Sequence, residues 1–207
     1  MRKKLILFDW GNIVESHTTG YSCLKAWDDV FYACGFDGDD SPGILLKKYK
    51  SSCIRNTSEF KKTYSKIKKE FHLNKTYDEF VDIYYKTFEN VEYYKEVADY
   101  EKSLKDRCYI GIYSNLTIFD KVRLDKEVDL SQYDYVFLSF EYGLRKPDIK
   151  LYEKVQEKLP FKKEDILFID DRFDNVKTAI EFGWNAFQST GLELDKIKEK
   201  CEEFINK

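Results

Sequence analysis

Residues 3–12 read Lys-Lys-Leu-Ile-Leu-Phe-Asp-Trp-Gly-Asn. Leu5 to Phe8 form an unbroken apolar run with no polar alternation, the pattern of a strand covered on both faces. Asp9-Trp10-Gly11-Asn12 then ends the run as a turn. Four apolar residues are far too few for a secretion signal or a membrane span. The expectation is a cytoplasmic protein with no membrane partner. Asp9, placed directly after a buried strand, is the first candidate for chemistry, because ligands of open α/β sheets bind beyond the carboxyl ends of their strands.

Downstream the pattern changes. From about Ser22 to Asn90 apolar residues recur at helical spacing: Leu24, Trp27, Val30, Phe31 and Cys34, then Phe60, Tyr64, Ile67 and Phe71, then Phe80, Ile83, Tyr84 and Phe88. Gly35–Gly43 and Asn74–Thr76 interrupt the periodicity, which predicts three or four helices and no strand. Strand and helix then alternate. The expected strands are Cys108–Tyr113, Tyr135–Leu138, Ile166–Ile169 and Trp184–Gln188. The expected helices are Asp148–Leu159, Asn175–Phe182 (stopped by Gly183) and Leu192–Ile205, with Glu141–Pro147 as a loop. Such alternation implies a parallel sheet with helices on both faces. The fold class is therefore α/β: a three-layer α/β/α Rossmann-like core with a parallel sheet, residues 1–14 and 92–207, and an inserted all-helical cap, residues 15–91.

Composition narrows the function classes. The chain has 207 residues, 35% of them charged and 43% hydrophobic, with 35 Lys plus Arg against 38 Asp plus Glu and a net charge of −3. This near balance offers no basic surface for a nucleic-acid partner. The five cysteines, Cys23, Cys34, Cys53, Cys108 and Cys201, are odd in number and widely spaced, as expected of reduced thiols rather than a disulfide frame or a zinc site. With only His17 and His72, a histidine-rich metal site is excluded. Nothing in the sequence bears on oligomeric state.

Four strand-end loops carry polar groups able to act together: Asp9, Ser114-Asn115 after the second core strand, Lys146 in the loop that follows, and Asp170-Asp171 after the fourth. Adjacent carboxylates repel unless a cation or a proton relieves them, and Mg²⁺ prefers oxygen ligands. A carboxylate such as Asp9 serves elsewhere as a covalent nucleophile. A hydroxyl and free backbone N–H groups at a helix N-terminus, as at Ser114, hold an anion well. Simpler roles exist for each: Ser114 as a helix cap, Asp174 or a neighbour as a cap, Lys146 and Arg145 as surface residues.

In order and spacing, FDWGN, YSN, GLRKP and FIDDRFDN resemble the four motifs of haloacid dehalogenase-like proteins, over a core of about two thirds of the chain. Within that family the sequence is similar to a branch of bacterial glucose-1-phosphate phosphatases that carry Gly two residues after the nucleophile. The resemblance implies a Mg²⁺-dependent phosphatase acting on a small-molecule phosphate ester. By the same resemblance Asp9 is the catalytic nucleophile, and Lys146 neutralises it and the phosphoryl oxygens. Ser114 and Asn115 bind substrate. Mg²⁺ is held by Asp9, the Gly11 carbonyl, Asp171, Asp170 and Asn175.

Gly11 departs from the family pattern, since most of its phosphatases have there a second Asp that protonates the leaving oxygen. Such an acid typically contributes about 10²–10⁴-fold. Its absence suits an acidic leaving group such as an anomeric sugar oxygen, or a proton supplied by the substrate, a water or a cap residue. Glu15, His17 and Tyr21 lie at the core-to-cap junction, within reach of a substrate. The alternatives are a non-catalytic binding protein on the same fold, a metal-independent 2-haloacid dehalogenase, which also lacks that Asp, and a phosphotransferase.

Overall fold

A computed structural model describes residues 3–38, 48–127 and 130–207. Its centre is a five-stranded, wholly parallel sheet formed by β1 (Leu5–Phe8), β2 (Tyr109–Ser114), β3 (Tyr135–Leu138), β4 (Ile166–Asp170) and β5 (Asn185–Gln188), in the order β3-β2-β1-β4-β5. β1 pairs with β2 on one side and β4 on the other, in a register that sets Phe8 opposite both Ile112 and Ile169. The strand order reverses at β1, and a crevice opens beyond the strand ends at such a point.

Alternation along β1 builds the two covering layers. Leu5 and Leu7 pack with Tyr113, Phe137 and Phe168 under Leu151, Tyr152 and Val155 of α7 (Ile149–Gln156) and Ala179 of α8 (Phe173–Phe182). Ile6 and Phe8 pack with Ile110, Ile112 and Ile169. Over these lie Val97 of α4 (Lys95–Ser103), Leu124 of α5 (Ile118–Glu127), and Ile197, Cys201 and Phe204 of α9 (Leu194–Ile205). All four β1 side chains are completely buried, each contributing roughly 1.5–3 kcal/mol of apolar transfer. The three-layer parallel α/β core is thus as expected.

Between β1 and β2 the described residues form no named strand. They hold α1 (Cys23–Ala33), a 3-10 turn (Ser51–Cys53), α2 (Thr57–Glu70) and α3 (Tyr77–Phe88), followed by α4. Each of the first three helices is capped by the residue before it: the side chains of Ser22, Asn56 and Thr76 accept from the N–H three residues on, and Thr76 forms a capping box with Glu79. Trp27, Phe31, Phe60, Tyr64, Phe80, Tyr84 and Phe88 stack against one another and against Phe119 of α5. These rings therefore serve packing. Part of the expected break at Gly35–Gly43, residues 39–43, lies outside the described residues.

Several boundaries differ from the expectation. The second strand extends to Ser114, the fourth to Asp170, and α8 starts two residues earlier, at Phe173. Gly183 takes φ 105°, a left-handed cap that ends α8. The loop expected at Glu141–Pro147 begins inside a short helix, α6 (Ser139–Tyr142), ended by Gly143 at φ 65°. α4 has no counterpart in the sequence reading. Its residues, KEVADYEKS, bury only Val97 and Glu101 and so show no apolar stripe.

Candidate active site

The register brings the polar loop residues together. Asp9 leaves the end of β1 between Ser114 at the end of β2 and Asp170 at the end of β4, all three buried. Asp9 Oδ1 accepts from the Trp10 N–H (2.8 Å) and the Ser114 hydroxyl (2.5 Å), and lies 3.1 Å from Lys146 Nζ. Among the described residues no hydrogen bond reaches Oδ2. Ser114 is thus bonded to the carboxylate and does not cap the helix after it. α5 begins later, and its first turn is closed by Asp120, whose Oδ2 accepts from the Thr117 N–H (2.6 Å) and hydroxyl (2.7 Å).

Lys146 is 1% exposed. Its Nζ donates to Asp170 Oδ2 (2.6 Å) and to the Tyr113 carbonyl (2.8 Å), and sits over the rings of Tyr113 and Phe168. Burial disfavours its charge, but the carboxylates of Asp170 and Asp9 outweigh this and hold its pKa above the usual lysine value. Asn115 positions this lysine. Its Nδ2 donates to the Lys146 carbonyl (3.0 Å) and its Oδ1 accepts the Lys146 N–H (2.9 Å), so both ends of the amide are committed to the main chain.

Asp170 is completely buried, and burial pushes its carboxyl up to about 6 despite Lys146. Its oxygens accept from the Arg172 N–H (2.8 Å) and from Asn175 Nδ2 (2.9 Å to each). Asp171 is also raised, by burial and then by the charge of Asp170; Asn12 Nδ2 donates to its Oδ2 at 3.2 Å. Oxygens of Asp9, Asp170 and Asp171 all lie within 4.8 Å of one another. Among the described residues, Lys146 supplies the ammonium that these three carboxylates face. Asn12 Oδ1 and Asn175 Oδ1 beside them are buried with no hydrogen-bond partner. A crowded set of oxygen donors with surplus negative charge and orphaned carbonyl oxygens suits a hard divalent cation.

The site opens into a cavity of about 310 Å³ lined by Asp9, Gly11, Ser114, Asn115, Asp171 and Asn175, with His17, Trp27, Arg145 and Arg172 among its other walls. Gly11 makes a close approach possible. A Cβ there would stand 2.6 Å from His17 Nε2 and 2.7 Å from Cε1. The imidazole therefore occupies the space of the missing side chain. Five residues and a turn separate the two positions, so no sequence spacing signals the contact.

A second group of possible ligand atoms, Glu15, His17 and Cys23, adjoins the first, and its carboxylate is already paired. Glu15 Oε2 is bonded by Arg123 and by Trp10 Nε1 (3.2 Å); burial opposes its charge, yet Arg123 keeps its pKa below the usual value. Burial and Glu15 hold the Cys23 thiol well above its usual value, hence protonated. This knot, extended by Arg123–Asp120 (3.6 Å) and Tyr84–Asp120 (2.6 Å), ties α3 to α5 beneath the cavity.

Residues 40–188 match the model of the haloacid dehalogenase-like hydrolases, a span that holds Ser114, Lys146, Asp170 and Asp171 and begins after Asp9. The chain belongs to the haloacid dehalogenase-like hydrolase family. Drimenol cyclase drtB of Aspergillus calidoustus is 36% identical over 66 residues, 32% of this chain and 12% of its own length. Sesquiterpene phosphatase astK of Aspergillus oryzae is 32% identical over 71 residues, 34% of each protein. The flavin mononucleotide hydrolase 1 of Arabidopsis thaliana is 41% identical over 79 residues, 38% of this chain and 32% of its own. The matches thus span about a third or less of these curated relatives. A family enzyme of Bacteroides thetaiotaomicron, crystallised as a variant with magnesium and inorganic phosphate, shares the fold with a TM-score of 0.74 over 92% of this chain and 96% of its own, at 17% identity.

Proposed function

We propose that the chain is a Mg²⁺-dependent phosphatase that hydrolyses a small phosphate monoester through an aspartyl-phosphate on Asp9, with residues 15–91 as the cap over the site. The observation that carries the reading is the cluster of three carboxylates, Asp9, Asp170 and Asp171, within 4.8 Å and answered by one buried lysine. Asp9, Asp170, Asp171, Asn175 and the Gly11 carbonyl are the residues to hold the ion. When bound, Mg²⁺ supplies positive charge against the phosphoryl oxygens. The names of two relatives, a sesquiterpene phosphatase and a flavin mononucleotide hydrolase, support hydrolysis of a phosphate ester.

The residues divide the work. Three donors fix Asp9 through Oδ1, which leaves Oδ2 for attack on phosphorus. A bond forms from Oδ2 to phosphorus as the ester oxygen departs. Lys146 balances charge on Asp9 and the transferring group, and such electrostatic stabilisation is most of what phosphoryl transfer requires. The leaving oxygen takes a proton, and His17, standing where a side chain at position 11 would stand, is the donor placed for it. Water then attacks phosphorus, passing a proton to His17, and phosphate leaves a regenerated Asp9. A sugar phosphate with an anomeric leaving oxygen suits a site without a second acid at Gly11. A metal-free dehalogenase reading fits less well, because three carboxylates would then face an anionic substrate with the Lys146 ammonium alone bonded to them.

The test is phosphate release from p-nitrophenyl phosphate, α-glucose 1-phosphate and glucose 6-phosphate, each with Mg²⁺, with EDTA, and with Asp9→Asn. Turnover should need both Mg²⁺ and Asp9, and the 1-phosphate should outpace the 6-phosphate. No hydrolysis of any of the three would move the non-catalytic reading to the front.

A further inference from the structure

The chain has three tryptophans, and the fold satisfies the indole N–H of two. Trp10 Nε1 donates to Glu15 Oε2 (3.2 Å), and Trp184 Nε1 donates to Gln156 Oε1 (2.8 Å). Trp27 differs. It is 8% exposed, yet among the described residues its Nε1 has no hydrogen-bond partner. Nor does that N–H belong with the polar atoms sealed away from solvent. A tryptophan buried to this degree ordinarily finds an acceptor for its N–H, so an unanswered one calls for a reason.

The surroundings supply it. Trp27 lies on α1, which presents Cys23, Leu24 and Trp27 to the cavity that holds Asp9. The ring packs on Tyr84 and Phe88 of α3, with ring centres 5.1 and 5.2 Å away. The indole is thus held in place from the α3 side, and its remaining surface is a wall of the cavity. Asp9, Gly11, Ser114 and Asn115 line the same cavity and take the phosphoryl group in the reading above. What is left for α1 to meet is the leaving group. Leu24 and Leu116, which also line the cavity, bring no polar side-chain atom to it.

We infer that Trp27 is a specificity-determining residue whose indole N–H donates to an oxygen on the leaving group, so that the substrate carries a hydroxyl beyond its phosphate ester, as a sugar or polyol does. The inference rests on the phosphatase reading and narrows its substrate class. A fixed donor set in an apolar wall is how a small-molecule site orients its ligand. A hydrocarbon leaving group would cover the indole and leave the N–H without an acceptor, whereas a hydroxylated one answers it.

The test uses ligands that cannot turn over. Calorimetry with Mg²⁺ compares butylphosphonate with its isomers hydroxylated at the second, third or fourth carbon, on the wild type and on Trp27→Phe, which keeps an aromatic ring and removes the donor. In the wild type one hydroxyl position should tighten binding about fivefold, the net size of one neutral hydrogen bond. Trp27→Phe should erase that advantage. A wild type that gains nothing from a hydroxyl at any position would overturn the inference. So would an advantage that survives in Trp27→Phe. A second readout needs no variant. In ¹H–¹⁵N spectra of the wild type, one indole N–H signal should move downfield with the favoured hydroxylated ligand and less with butylphosphonate; equal shifts with both ligands would overturn the inference as well. Hydrolysis of p-nitrophenyl phosphate by the same wild-type sample reports separately on the phosphatase reading.

Discussion

Replacing Lys146 by Met tests the electrostatic account of the site. The substitution keeps most of the apolar stem over Tyr113 and Phe168 and removes the ammonium that faces Asp9, Asp170 and Asp171. Two ion contacts at 2.6 and 3.1 Å and a bond to the Tyr113 carbonyl at 2.8 Å disappear. Removing one partner of a buried pair costs about 3–5 kcal/mol, because the other charge remains buried. For a chain of 207 residues, at roughly 2–4 °C per kcal/mol, the melting temperature should fall by roughly 6–20 °C near neutral pH. The pH dependence has a definite sign. Asp170 has its folded-state pKa raised, from 3.8 to about 6. A raised acid binds its proton more tightly when folded, so stability grows as pH falls from about 6 towards about 4. The penalty of losing Lys146 should therefore shrink on acidification. Circular-dichroism melts in EDTA at about pH 5 and about pH 7.5 read this directly. Mg²⁺ should raise the melting temperature of the variant more than that of the wild type, since it restores missing positive charge. A deficit under about 1 kcal/mol, or one equal at both pH values, would refute the reasoning.

Other substitutions probe separate links. Glu101 is completely buried and pushed up to about 8 by burial, with Tyr133 donating to it at 2.7 Å. Its raised pKa removes stability as pH climbs from about 4.5 to about 8, about 5 kcal/mol in all, so Glu101→Gln should melt higher than wild type at about pH 9 and show a flatter profile. His17→Ala should slow sugar phosphate hydrolysis by about 10²-fold or more and p-nitrophenyl phosphate much less; equal losses on both would remove it as proton donor. Gly11→Asp would meet the His17 ring at 2.6 Å, a half-exposed side-chain tip able to swing aside; the variant should stay folded, and its melting temperature should recover in Gly11→Asp/His17→Ala. Asn115→Ala frees both ends of the Lys146 main chain and should lower kcat more than it raises KM, measured by steady-state kinetics.

How much was legible in advance follows from the range of the interactions. β1 reads clearly because a strand buried on both faces has no polar position to confuse its period, and the strand-end carboxylates follow from the same rule. α4 does not read, because its core contact is Val97 and a protonated Glu101, which resembles surface sequence. In sequence Ser114 reads as an anion ligand that could also cap the following helix. Only the pairing of β1 with β2 sets its hydroxyl against Asp9, 105 positions away. Asn115 is similar, since its role depends on a loop 31 residues distant.

The central claim is covalent attack by Asp9, and the direct measurement is acid quenching during turnover of a radiolabelled phosphate ester, followed by counting of the denatured protein. Base-labile label on the wild-type chain with Mg²⁺, absent with EDTA and absent in Asp9→Asn, is the result the account predicts. Turnover that leaves no label on the protein, or label that persists in Asp9→Asn, would contradict it.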